Sequence, residues 1–278
     1  MRENIAIPVF LRIVTIVECL VVGIAAIGLF FFPDFAKTNW VWEVPPFNAR
    51  YMGAVYFSTL TPLIALASLA RWSPGRVILW MIFVFTTSVG LVMFAYLSHL
   101  EWTRSGTPIF VLLYIFLPIN SAVFLYKLRN WDVAGSEEST TATRTLLLFV
   151  ALLLGGYGLA LILIPETVTA FWPWAIDAFH GRIYAAIFLA PAFGAFIISR
   201  RGAPAERMIV GSILVVLGLL SILGTIWTSA GVPLAKQVNY ASLGTWAFFA
   251  MNMLCSGLGI GLVRRGGSAR ASRQPSKA

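Results

Sequence analysis

Eight apolar runs dominate this sequence and leave it few ways to fold. They cover roughly 10–32, 51–70, 77–98, 108–126, 145–164, 183–199, 208–228 and 241–263. Each is long enough to cross a hydrocarbon core, the sixth barely, since a spanning helix takes about 20 residues. None alternates polar with apolar residues as a membrane strand would. In lipid every backbone N–H and C=O must be bonded inside the segment, so runs of this kind select helices. Charged residues make up 11% of the chain, against about 25% in soluble domains. The expectation is an all-α integral membrane protein with eight transmembrane helices. The first run is too long for the apolar region of a signal peptide, and no small-x-small cleavage site follows it.

The chain also repeats itself. Shifting the sequence by 132 positions lays Pro33 on Pro165, Asp34 on Glu166, Trp40 and Trp42 on Trp172 and Trp174, Phe47 on Phe179, and Arg50 on Arg182, without a gap. Asn120 meets Asn252 at the same offset, and Arg76 meets Arg207 after a one-residue slip. A period of this kind implies two copies of one structural unit. The expected organisation is a first four-helix repeat over 1–129, a polar linker over 130–144, a second repeat over 145–265, and a disordered basic tail over 266–278. Four helices is an even number, so both copies would enter the membrane in the same direction. They would then be related by a pseudo-two-fold axis along the membrane normal, the parallel-repeat arrangement.

Basic residues orient the chain. With the N-terminus inside, Lys37, Arg50, Arg104, Arg182 and Lys236 fall outside, and the remaining fifteen fall inside. Positive charge collects on the cytoplasmic side, so both termini are expected in the cytoplasm of a plasma membrane, most simply a bacterial inner membrane. The net charge of +9 is then explained by anionic lipid next to the inner loops and tail, and no nucleic-acid partner is expected.

Several residues are candidates for function. The doubled loop carries Trp40, Trp42 and Arg50 in one copy and Trp172, Trp174 and Arg182 in the other. The tryptophans read either as an interfacial belt or as a cap over a ligand. The arginines read either as clasps to Glu43 and Asp177 or as a shared anion site, because they superpose at the offset and those acids do not. Pro62 and Pro191 are expected to interrupt the second and sixth helices, and paired interruptions point to a binding site between repeats. Glu18 is the one acid deep within a span; its counterpart is Val150. Ionisable groups at such depth are functional candidates as proton carriers or counter-ions, and the bland alternative is a protonated or hydrogen-bonded carboxyl facing Thr15 or a neighbouring helix. Asn120 and Asn252 are expected near mid-membrane, where each amide could pair with the other. Gly257, Gly259 and Gly261 on the eighth helix contain a Gly-x-x-x-Gly spacing suited to close helix contact.

His99 and His180 are expected to be exposed at the outer surface. Cys19 and Cys255 read as small apolar residues, and no spacing suggests a metal or cofactor. No catalytic triad, phosphate loop or carboxylate pair is present in the sequence, which leaves an enzyme the weakest reading. Two readings remain. The first is a protein that binds or transports a small or lipid-like solute at the interface of its repeats. The second is an accessory subunit of a membrane complex, meeting a partner or a second copy of itself through the eighth helix.

Overall fold

A computed structural model describes residues 3–271 of the chain. It contains eight helices long and apolar enough to cross a membrane, and the protein is a multi-pass, all-α membrane protein. These spans are α1 (Val9–Phe31), α3 (Pro46–Leu69), α4 (Trp72–Ala95), α5 (Gly106–Lys127), α6 (Thr141–Leu163), α8 (Ala178–Arg200), α9 (Pro204–Gly231) and α10 (Leu243–Ala271). Two short helices, α2 (Pro33–Asn39) and α7 (Pro165–Thr169), follow α1 and α6. Their origin is local. Pro33 and Pro165 cannot continue the preceding helix, yet each suits the first turn of a new one, where no N–H is required. Asp34 and Glu166 then sit at the positive end of the new helix dipole.

The spans form a central group and a peripheral one. In α8, 72% of the most apolar stretch is buried inside the protein, against 28% in α1 and in α6. The helices α3, α4, α8 and α9 make the centre, with α1, α5, α6 and α10 outside them. The partnerships cross the chain. Helix α3 packs against α1 and α9, while α8 packs against α6 and α4. Helix α5 lies on α4, and α10 on α9. Consecutive central helices touch far less than central helices from opposite ends of the chain.

Close approach between α9 and α10 comes from glycine, but not from the expected pair. A methyl group on Gly211 would sit 2.6 Å from the Gly259 carbonyl oxygen, and one on Gly259 would sit 2.5 Å from the Gly211 carbonyl oxygen. Gly218 abuts Asn252 and Ser256, one heptad along. Dispersion and small residues hold helices together where lipid offers no hydrophobic gain. Gly257 faces open space and Gly261 meets only Leu146, so Gly259 makes the contact instead of the Gly-x-x-x-Gly pair.

The two ends of the bundle differ. One carries α2, α7 and the tryptophan loops. The other carries both ends of the described residues and is called the terminal end below. There Glu137–Glu138 pairs antiparallel with Arg201–Gly202, and the Trp72 indole donates to the Trp131 carbonyl. The polar connector is thus fastened to the helix ends on either side of it. Helix α10 runs on to Ala271, into the stretch 266–278 expected to be a disordered tail; residues 272–278 lie outside the described residues.

Candidate functional site

At the terminal end, Glu206 is fully buried and takes a two-pronged contact from Arg76, with Nε to Oε1 at 2.9 Å and Nη2 to Oε2 at 3.1 Å. It also accepts the Ala203 backbone N–H. This pair ties α4 to α9, and nothing in the sequence singled it out. Arg207 instead bonds the Gly202 carbonyl and the Ser139 hydroxyl.

At the tryptophan end the loops fold into the protein. Trp42 and Trp172 are buried, and Trp40 and Trp174 are half-buried, so the indoles are packing groups and not a lipid-facing belt. Trp42 lies edge-on to Phe179, and Trp174 stacks on Phe47, each pair joining the two halves of the chain. The Trp174 indole donates to Asn48 at 2.7 Å. At the positions 132 residues away stand Trp42 and His180, and there both Trp42 Nε1 and His180 Nε2 are buried without a partner. The expected exposed His180 is therefore buried, with Nδ1 2.8 Å from Asp177 Oδ2, while His99 is exposed and stacks on Phe179. Burial pushes the Asp177 carboxyl upward. Hydrogen bonds from the ring and backbone N–H of His180, and the nearby charges of His180 and His99, more than reverse this and hold it below the usual 3.8.

The arginines take neither expected partner. Arg50 Nε donates to the Phe30 carbonyl at 3.1 Å, and Nη1 to the Thr228 hydroxyl at 3.0 Å. Arg182 Nε donates to the Ile162 carbonyl at 3.0 Å, and Nη1 to the Tyr96 hydroxyl. Phe30 and Ile162 are 132 apart, and so are Tyr96 and Thr228. Each arginine thus holds the end of the preceding span and reaches the end of a third. Glu43 does not enter this arrangement, and Asp177 turns to His180.

Pro62 and Pro191 do not break their helices. Both α3 and α8 run through them as continuous α-helix. Each proline costs one backbone bond, and in α3 the hydroxyls of Ser58 and Thr59 turn back onto the carbonyls of Val55 and Tyr56. What the prolines share is a cavity. A space of about 100 Å³ in the middle of the bundle is lined by Pro62, Pro191, Glu18, Tyr56, Thr86 and Tyr114, among others. A second space, of about 380 Å³, lies between α1 and α5 and reaches Trp40 at the tryptophan end. Glu18, Val22, Tyr56, Tyr114 and Leu117 belong to both linings, so the central cavity and the groove adjoin along a wall made of these residues.

Glu18 stands in that wall. It is 7% exposed, and among the described residues its carboxyl forms no ion pair or side-chain hydrogen bond. Thr15 bonds the Leu11 carbonyl instead. Tyr56 and Tyr114 approach each other with hydroxyls 3.5 Å apart. Neither tyrosine was singled out in the sequence, although a phenol in an apolar span is a usable signal, because a buried hydroxyl needs a partner.

The asparagines stay apart. Asn252 donates to Phe248 in its own helix, and no hydrogen bond joins it to Asn120 among the described residues. The helices carrying them pack on different neighbours. The structure thus gathers Glu18, Pro62, Pro191 and Trp40 around two adjoining spaces. Arg50, Arg182, Trp42, Trp172 and Trp174 make packing and hydrogen-bond contacts at the tryptophan end. No family model, curated protein or solved structure matches the chain.

Proposed function

We propose that this protein binds, and moves within or across the membrane, a small or lipid-like solute held between α3 and α8. One observation carries the reading: the two proline-bearing helices meet at a central cavity that also receives an unpartnered carboxyl. Apolar pockets with a few convergent polar groups are the usual form of a small-molecule site.

The same proposal takes the chain as two four-helix repeats about an axis along the membrane normal, with a connector over 130–144. It is supported by the matched arginine bonds and by the reciprocal packing of α3 on α9 and α8 on α4. Both termini are proposed to be cytoplasmic, on the asymmetry of the basic residues. The accessory-subunit reading has less behind it, because Gly259 of the eighth span is spent on α9 inside the protein.

The test is to purify the protein from native membranes, extract what accompanies it, and repeat with the cavity filled by Ala190→Leu. A wild-type adduct that disappears from the folded variant is expected. An identical set of adducts from both proteins would remove the cavity as the site.

A further inference from the structure

The Glu18 wall says more than that something binds. Three features converge on it, and they differ in kind.

The first is an unsatisfied need. Glu18 is more than nine-tenths buried and lines both the central cavity and the α1–α5 groove, yet among the described residues no side chain hydrogen-bonds its carboxyl. A buried polar group without a partner is costly, and a charged one far more so. Among the described residues no lysine, arginine or histidine lines either space, so the chain offers Glu18 no cationic partner there.

The second is the aromatic lining. Tyr56 and Tyr114 flank both spaces, Phe85 faces the cavity, and Trp40, Phe110 and Phe116 face the groove. Ring faces attract cations, and aromatic walls beside a carboxylate are the recurring way to hold an ammonium group. An anionic head group would meet only like charge here. A neutral hydrocarbon would leave Glu18 as it is.

The third is the shape of the opening. Tyr157 closes its own side of the protein by accepting the Trp172 indole N–H at 2.7 Å. At the position 132 residues earlier stands Ala25, and Ala25 and Trp40 both line the groove. Without the phenol, Trp40 Nε1 has no partner and the space between α1 and α5 stays open. Val150 likewise stands where the first half has Glu18. The acid and the opening between α1 and α5 therefore occur on the same side.

We propose that the ligand is a membrane-soluble amine, a hydrocarbon body bearing one protonated nitrogen, which enters sideways between α1 and α5 and seats its nitrogen against Glu18. The inference rests on the reading that these spaces hold a lipid-like solute. The 380 Å³ groove takes the chain, and the 100 Å³ cavity takes the head. The ammonium N–H donates to the carboxyl in a charge-assisted hydrogen bond, with the two tyrosine rings beside it.

The experiment compares three probes of equal chain length, dodecylamine, dodecanol and dodecanoate, by native mass spectrometry and thermal shift on the detergent-purified protein. Two variants accompany wild type. Glu18→Gln keeps the shape and removes the charge. Ala25→Tyr supplies the phenol that the other half uses to close. Dodecylamine is expected to bind best, at least about tenfold more tightly than dodecanol, which corresponds to 1.4 kcal/mol. Glu18→Gln should erase that difference and leave dodecanol unchanged; Ala25→Tyr should weaken both. If amine and alcohol bind alike in wild type and Glu18→Gln alters neither, the amine is wrong. The cavity reading survives in that case provided Ala25→Tyr still weakens both. Tighter binding of dodecanoate would also overturn the amine. If no probe binds wild type, the amine and the cavity reading fall together.

Discussion

The two halves of the chain carry the same tryptophan loop and finish it differently. In the second half both indoles are satisfied, Trp172 by Tyr157 and Trp174 by Asn48 across the molecule. In the first half Trp40 and Trp42 are packed against aromatic rings, and neither indole nitrogen finds a partner. The difference lies in the residues facing the loop, Ala25 for Tyr157 and His180 for Asn48. One small residue in place of a phenol removes a plug and a hydrogen bond together. Two loops that match in sequence thus end in different surroundings, one closed by a phenol and one beside an open groove. At the arginines the two halves agree, since both bind the preceding span and a third helix in the same way.

This comparison can be broken at several points. The largest effect is expected at Glu206→Ala. It strips the partner from Arg76 and frees the Ala203 N–H, and losing one member of a buried ion pair costs about 3–5 kcal/mol. Thermal unfolding in a fixed detergent measures it. A change below about 1 kcal/mol would mean that this pair does not hold α4 to α9.

Arg50→Ala and Arg182→Ala come next and are best made side by side. Each removes two hydrogen bonds from a charged donor, and with relaxation of the freed acceptors a net loss of about 1.5–3 kcal/mol per variant is expected. Equal losses would match their equivalent bonding. A loss confined to one arginine would show that the halves differ here too.

Tyr157→Phe sharpens the contrast between plug and opening. It keeps the ring and strands the Trp172 indole, as Trp40 is stranded, at a cost of about 1–3 kcal/mol. Wild-type stability in this variant would show that an unpaired indole is tolerated at that depth. Trp40 would then lose its claim to mark an unfinished site.

Asp177 offers the smallest effect. Its carboxyl is held below the usual 3.8 in the folded protein, so its contribution is present above that pH and is lost as pH falls through the lower folded value. Asp177→Asn should therefore lower stability slightly at neutral pH and flatten the acid limb below about pH 4, where wild type loses the same contribution. An unaltered acid limb would remove the His180 contact as its cause.

The helical content was legible because it follows from local physics. Apolar runs without alternation can satisfy their backbone in lipid only as helices, and Pro33 and Pro165 predict both the end of one helix and the start of the next. The 132-residue offset in turn identified the arginines as equivalent. Their partners were harder to see. Backbone carbonyls carry no sequence signal, and Thr228 and Tyr96 differ in type although they occupy matching positions. The same applies to the glycines: a spacing rule favoured Gly257 with Gly261, while the face presented to α9 is set by rotation about the helix axis and selects Gly259.

Sequence alone determined that this chain has eight membrane-spanning helices, a loop that occurs twice, and one carboxyl at depth with no counterpart. Those properties belong to single segments and to the offset between them. Only the tertiary structure decided that Glu18 stands between a cavity and a groove, and that the conspicuous tryptophans and arginines are engaged in holding the protein together. Such assignments depend on which helices become neighbours and which faces they turn inward. In this protein that is settled by contacts between α3 and α9 and between α8 and α4, segments far apart in the chain.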